Sequence, residues 1–574
     1  MRTVKTSSGA TAVQIVYSSH RGSRQIEHLG SAHSGAEVEL LKAAARQRLA
    51  AGQGELDLGL AVGALGGPLP ITASRMGHLW DALLHGFRVL GFERAAGGDE
   101  VFAQLVLARI IEPTSKLDSA RVLEEAGVEA VSYRTLKRRL PKYAKQAWRQ
   151  RLSVACAGHA GLGPASLVLY DVSTLYFETD AGDGFREPGF SKERRLDPQI
   201  TIGLLTDQAG FPLMVSAFEG NKAETKTMLP VIREFMAAHQ LPDVTVVADA
   251  GMVSEANQKQ IEAAGLSFIL GQRIPEVPWV VAEWHREHPG EAVPDGHVFT
   301  QRWPAGPNGG RRDQVIYYQY RHDRARRTLR GIDEQVKKAE KAVAGQVPIK
   351  RNRFIQLAGD ACTVNRELEA KARALAGIKG YVTNLAACPD GTPVTADFVI
   401  GAYHRLFEIE KSFRMSKHDL QARPIYHHKR DSIEAHLTIV FAALAVSRWI
   451  ENATGWSIRK FVRTARRYRT IEIQAGDHTI TAADPLPADL GEALKGIHRH
   501  TGGILANHGL MSRESCPDVR IPWSLWCSDH ALAIGQMAAP SGRKEARQNG
   551  RSPTYRNLAT KQKADDLTCS GVLV

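Results

Sequence analysis

The sequence predicts a multidomain α/β protein. Its mixed-sheet core is interrupted by a long insertion and preceded by N-terminal β and helical regions. Two observations predict the class. Apolar strand-like runs alternate with amphipathic helix-like runs between residues 167 and 270, after a long helical stretch. A further amphipathic helix then arrives more than a hundred residues later, which requires an intervening structured unit. A third observation concerns partners. With 74 Lys and Arg against 61 Asp and Glu, the net charge is +13 and the pI about 9.4, which favours a polyanion.

In order along the chain, residues 1–60 read as short strands such as Ala12–Tyr17 and then a helix from Val38. Ser34 and Glu37 have capping-box spacing ahead of that helix. Gly52–Gly67 reads as a Gly-rich linker. Residues 68–160 read as helical and DNA-binding. Ser132 is the expected N-cap of a helix carrying Arg134, Lys137, Arg138 and Arg139, no acid occurs from Val131 to Arg151, and Gly127 offers a turn between short helices. A solvated basic face is the alternative for that stretch.

Residues 161–271 change character. Leu167–Phe177, Ile200–Thr206 and Phe211–Phe218 read as strands, the last two joined by a tight turn at Asp207–Gly210. Glu224–His239 has apolar residues on one helical face. A strand ends at Asp249, Ser254 caps a helix to Ala264, and Leu266–Leu270 is another strand. The order is βββαβαβ, that of an RNase H-like core. Residues 272–396 read as an insertion domain with Trp279, Trp284, Trp303 and the aromatic strand Ile316–Tyr320, and Gly380–Asn384 returns to the core. Residues 397–455 hold the late helix and an apolar helix, Ile433–Ile450. Residues 456–574 form a C-terminal region whose Pro540–Lys563 stretch reads as a mobile tail.

The six cysteines form no CxxC pair, which argues against a zinc site or disulfide framework. The N-terminus lacks an apolar signal core, and the Leu437–Val446 run is too short to cross a bilayer. A cytoplasmic, nucleoid-associated protein is expected, with no membrane partner.

Three acids carry the candidate chemistry. Asp171 lies within an apolar strand, Asp249 ends one, and Glu410 sits on the late helix. Hard divalent cations take oxygen ligands, and three carboxylates from separate elements suffice to hold two Mg²⁺ (or Mn²⁺) ions for phosphodiester chemistry. Each aspartate alone could be a solvated strand end. The helix is more specific: Tyr403, Leu406, Glu410 and Lys417 are spaced to share one face, while the rival acid Glu408 lies about 160° around from Glu410.

The segment from Tyr403 to Lys417 resembles the Tyr-x2-Arg-x3-Glu-x6-Lys signature of bacterial insertion-sequence DDE transposases, cut-and-paste enzymes with an RNase H-like core split by a mostly β insertion. Tyr403, Glu410 and Lys417 fall on the pattern, but Leu406 stands where the Arg is expected, next to Arg405. The flanks Ile409–Arg414 and Arg423–His427 also resemble the family, and the likeness runs from Ser166 to Ile450. It implies Mg²⁺-dependent cleavage and strand transfer by Asp171, Asp249 and Glu410. It implies contacts to transposon-end DNA from Tyr403 and Lys417, with Arg405 and Arg414 beside them, and a base-stacking role for one insertion Trp. Terminal inverted repeats, target DNA and a homodimeric synaptic complex are the implied partners. A nuclease without strand transfer and an inactive DNA-binding remnant are the alternatives.

Overall fold

The structure is a computed structural model. It describes residues 1–18, 24–50, 69–163, 166–179, 181–189, 197–252, 255–305, 313–348, 352–358, 361–423, 425, 427–475 and 478–506. The Gly52–Gly67 linker, the Ser254 cap, Pro424 and Tyr426 of the flanking motif, and the C-terminal tail lie outside the described residues.

An eight-stranded mixed sheet forms the centre. Its strands are β1 (Leu167–Tyr176), β2 (Gln199–Asp207), β3 (Pro212–Glu219), β4 (Thr245–Ala248), β5 (Ser267–Gln272), β6 (Val298–Trp303), β7 (Gln314–Tyr320) and β8 (Ile378–Thr383). Their spatial order is β6-β7-β8-β5-β4-β1-β2-β3. The central strands β1, β4 and β5 are parallel, and the remaining pairings are antiparallel. β1 and β4 are apolar runs with their first four residues buried, as strands covered on both faces require. Helices Met228–His239 and Glu255–Ala263 make the crossovers, so the βββαβαβ order read from the sequence is present.

The stretch expected to be a separate insertion is largely not separate. β6, β7 and β8 extend the same sheet beyond β5, with Tyr381 opposite Gly271 and Tyr317 opposite Tyr381. The physical reason is the open edge of β5. An edge strand offers unpaired backbone groups, and the aromatic strand Gln314–Tyr320 with the β8 strand completes the ladder while burying Ile316, Tyr317 and Tyr318. What carries its own small core lies between β7 and β8. There helix His322–Val343 and the hairpin Ile355–Ala358/Ala361–Val364 gather Ile332, Val336, Ala339 and Phe354.

The helical region before β1 is built onto the sheet domain. One apolar core runs from Met76 to Ile497. At its centre is Arg430–Thr454, a helix long and apolar enough to cross a membrane, with mean hydropathy 1.4 and 94% of that window buried inside the protein. It packs against helices Glu100–Ile111 and Tyr133–Ala144 on one side and β3 on another. Tyr133–Ala144 therefore buries Leu136, Leu140 and Tyr143 and leaves Arg134, Lys137 and Arg138 outward. Ser132 caps it, accepting from the Thr135 N–H at 3.3 Å. Gly127 ends the preceding helix at φ +78°, and a Cβ there would lie 2.1 Å from that of Arg75, so only glycine fits. Ser34 and Glu37 bond reciprocally as a capping box before helix Gly35–Ala50. Strand Ile71–Arg75 pairs with Thr470–Ala475, which ties the early chain to the C-terminal region.

Candidate active site

The parallel register of β1 and β4 sets Leu169 opposite Val247. Two residues further along, the strands carry Asp171 and Asp249 to the same end of the sheet. Asp171 is half-buried and accepts from the Val172 N–H at 2.8 Å, and Asp249 emerges where β4 stops. Ligand sites of open sheets with parallel strands lie outside such carboxyl ends.

The late helical segment is not one straight helix. Helix α1 (Ala396–His404) ends at Arg405, α2 (Leu406–Arg414) follows, and a π-turn covers Met415–Asp419. The expected common face of Tyr403, Leu406, Glu410 and Lys417 is therefore broken, because a turn and a wider π-turn rotate the residues around the axis. Leu406 and Tyr403 are buried, Glu410 is exposed, and Lys417 is half-buried. α2 packs on β1, the strand that carries Asp171.

The two acids of α2 have different surroundings. Glu408 faces Arg448 of the buried Arg430–Thr454 helix at 3.1 Å, and the Arg448 side chain is only 5% exposed. Arg448 also reaches Glu451 at 3.5 Å and donates to the Ala209 carbonyl. Ser412 donates to the Gly210 carbonyl at 2.7 Å. The hairpin turn at Asp207–Gly210 thus docks on α2 and fixes its rotation. Gly210 has φ +79°, and a Cβ there would press on the Glu408 backbone at 2.8 Å. Glu410 takes no part in that docking.

Tyr403, expected to contact DNA phosphate, has a partner within the protein. It is buried, and its hydroxyl donates to Asp249 Oδ1. Burial raises the phenol well above its usual pKa, and the hydrogen bond and negative charge of Asp249, then Tyr381 and Asp171, add to that. The hydroxyl therefore stays a donor that orients Asp249.

Lys379 on β8 escaped the sequence reading. Its ammonium lies 4.3 Å from the Tyr403 ring centre. Burial lowers its pKa, while the charge of Asp249, and less strongly that of Glu410, opposes this. One cation thus feels two of the three acids from across the sheet. The available signal was alternation along Ile378–Thr383, which puts Lys379 and Tyr381 on one face.

The donors are hard oxygens from adjacent elements, which suits Mg²⁺ or Mn²⁺. Among the described residues, however, no group of three or more His, Cys, Asp or Glu is assembled closely enough to hold an ion.

The basic residues sort unevenly. Arg405 is exposed and donates to Gln208 at 2.9 Å, and Arg414 is exposed. Arg139 and Lys142 pair with Asp99 at 3.3 and 3.0 Å, and Arg149 pairs with Glu434 at 2.8 Å. The acid-free reading of Val131–Arg151 thus holds along the chain and fails in space, since Asp99 and Glu434 arrive from elsewhere. Trp279 and Trp303 are 57% and 44% exposed, and Trp284 stacks on His288.

Residues 163–446 match a family model described as a transposase DDE domain. Among solved structures, the chain is similar to a piggyBac transposase in a synaptic complex with hairpin DNA. The identity is 10% and the TM-score 0.34, over 67% of this chain and 70% of that one. No curated protein matches.

Proposed function

Because residues 163–446 carry a transposase DDE domain, we propose that the chain is the DNA transposase of an insertion sequence, with Asp171, Asp249 and Glu410 as its metal-binding acids. The observation that carries this reading is the convergence of Asp171 and Asp249 on neighbouring parallel strands, with α2 packed on the first of them. An RNase H-like core is the fold this reading implies.

Bound between the three carboxylates, two Mg²⁺ (or Mn²⁺) ions would supply Lewis acidity for the attacking and leaving oxygens of a phosphodiester. The chain's own residues do the rest. Tyr403 orients Asp249 by occupying Oδ1. Lys379 offsets the repulsion between Asp249 and Glu410, which would otherwise resist bringing like charges together. Arg405, Arg414 and Lys417 flank Glu410 and offer cations to the backbone of the element's end, with Arg134, Lys137 and Arg138 as a second exposed row. Terminal inverted repeats and target DNA are the proposed substrates, and synapsis of two ends calls for a homodimer. A nucleoid-associated, cytoplasmic location belongs to the same proposal.

The test is cleavage of DNA bearing the element's ends. Asp171→Ala, Asp249→Ala and Glu410→Ala should each abolish Mg²⁺-dependent cleavage and keep end binding. Cleavage retained by Glu410→Ala would overturn the triad. A strand-transfer assay with the wild type separates transposition from simple nuclease action.

A further inference from the structure

Away from the carboxylates, four basic side chains meet at a cavity of about 420 Å³ between the Glu100–Ile111 helix, the loop after it and the segment following the π-turn. Lys116 is 7% exposed and Arg109 8%. Lys116 Nζ lies 2.7 Å from His427 Nε2 and 3.3 Å from His436 Nδ1. His436 Nε2 is 3.0 Å from the Ala422 carbonyl, so it must carry the proton, and Nδ1 must accept from Lys116. Both imidazole contacts thus consume donors of one ammonium, which has three. Arg109 has no ion pair or side-chain hydrogen bond among the described residues.

No carboxylate lines this cavity. The acids on either side of the loop, Glu112 and Asp118, are committed elsewhere, Glu112 to Arg121 and Arg466 and Asp118 to Arg121 at 2.9 Å. Burying cations without a counter-charge is costly, and proteins normally pair them. The cost is visible here. Burial, and then Arg109, pushes Lys116 down to about 7. Burial, and then Lys116 and Arg109, pushes His427 down to about 4. Burial alone brings Arg109 down to about 10. The backbone adds a second sign of a built site. Gln421, in the cavity wall, has φ +43°, an uncommon conformation for a residue with a Cβ and one that clusters at ligand sites. The cavity adjoins a second of about 640 Å³ that shares Ile425 and His427; there Arg186, Arg423 and His428 stand with the carboxylates Glu178 and Asp197, so the cations without a carboxylate beside them are those of the first cavity.

We propose that Arg109, Lys116 and His427, backed by His436, form a phosphate-binding pocket. A tetrahedral oxyanion supplies the missing counter-charge and several acceptors for the guanidinium and ammonium donors. The phosphate can be a free ion or a phosphodiester of DNA laid into the groove. The pocket stands on its own residues, and only the DNA source rests on the transposase reading.

Inorganic phosphate is titrated into the full chain at constant ionic strength, with chloride as the control, and melting temperature is followed. Wild type should show a saturable rise, and Lys116→Met and Arg109→Met should lose it, with apparent affinity down at least tenfold. In parallel, duplex DNA binding is measured against salt. If the source is DNA, Lys116→Met lowers the slope of log K on log salt by about 0.9, one phosphate contact. If the source is a free ion, the phosphate response disappears and the slope stays. A wild type that responds to phosphate no more than to chloride, together with an unchanged slope, overturns the pocket. So does an equal phosphate response in wild type and both variants. Should a variant fail to fold, carbethoxylation of His427 in the wild type decides. Protection by phosphate or by DNA supports the pocket, and protection by neither overturns it.

Discussion

Two glutamates stand two residues apart on α2, and replacing each by alanine should have opposite consequences. Glu408→Ala removes the nearer carboxylate from Arg448, whose side chain is 5% exposed. Breaking a buried ion pair by deleting one partner costs about 3–5 kcal/mol. Here Glu451 remains at 3.5 Å and the Ala209 carbonyl still accepts, and Glu408 itself is 20% exposed, so roughly 2–3 kcal/mol is expected. Glu410 is exposed and has no ion pair among the described residues, so Glu410→Ala should stay within about 0.5 kcal/mol of wild type. Urea unfolding supplies the free energies. Mg²⁺-dependent cleavage at a temperature where both variants are folded supplies the activity. Glu408→Ala should unfold at clearly lower urea yet cut DNA, and Glu410→Ala should unfold like wild type and not cut. If Glu408→Ala is fully stable but inactive while Glu410→Ala cuts, the acids have been assigned the wrong way round.

Gly210→Ala should destabilise by about 2 kcal/mol or more, because it combines a left-handed backbone with a contact against Glu408. Equilibrium unfolding checks this, and cleavage should fall with it since the turn positions α2. Tyr403→Phe keeps the buried ring and deletes the donor to Asp249. The Mg²⁺ concentration for half-maximal cleavage should rise about tenfold or more, as when a partner orienting a metal ligand is lost; an unchanged requirement would remove Tyr403 from the site. Burial pushes the Asp99 carboxyl up, but Lys142, the Phe102 N–H and Tyr143 outweigh it and hold the folded value below the ordinary one. The stabilisation is therefore present above the unfolded aspartate pKa and lost as pH falls through the folded value. Asp99→Asn, which retains the helix cap, should cost about 1–2 kcal/mol at neutral pH. Its difference from wild type should vanish in acid; a pH-independent difference would refute the ion-pair origin.

The strand order, the hairpin turn and the helix caps were legible in the sequence because each is decided locally. Short apolar runs bounded by turn residues make Leu167–Tyr176 and Gln199–Asp207 strands wherever they are placed, and Ser132 needs only the Thr135 N–H three residues on. The places of the three proposed acids in their own elements were legible for a related reason: Asp171 falls within a strand, Asp249 follows one, and Glu410 lies on a helix. What the sequence left open depends on which distant residues become neighbours. Arg448 lies 40 residues from Glu408 and separates its role from that of Glu410. Asp99 removes Arg139 and Lys142 from a seemingly free basic face. The open edge of β5 draws an expected insertion into the sheet. Lys379 comes beside the carboxylates only because β8 pairs with β5. Lys116 meets His427 and His436 across more than three hundred residues. Electrostatic interactions act through space and depend on burial, so charge that is evenly spread along a chain takes its meaning only when tertiary packing sets the distances and the solvent each group keeps.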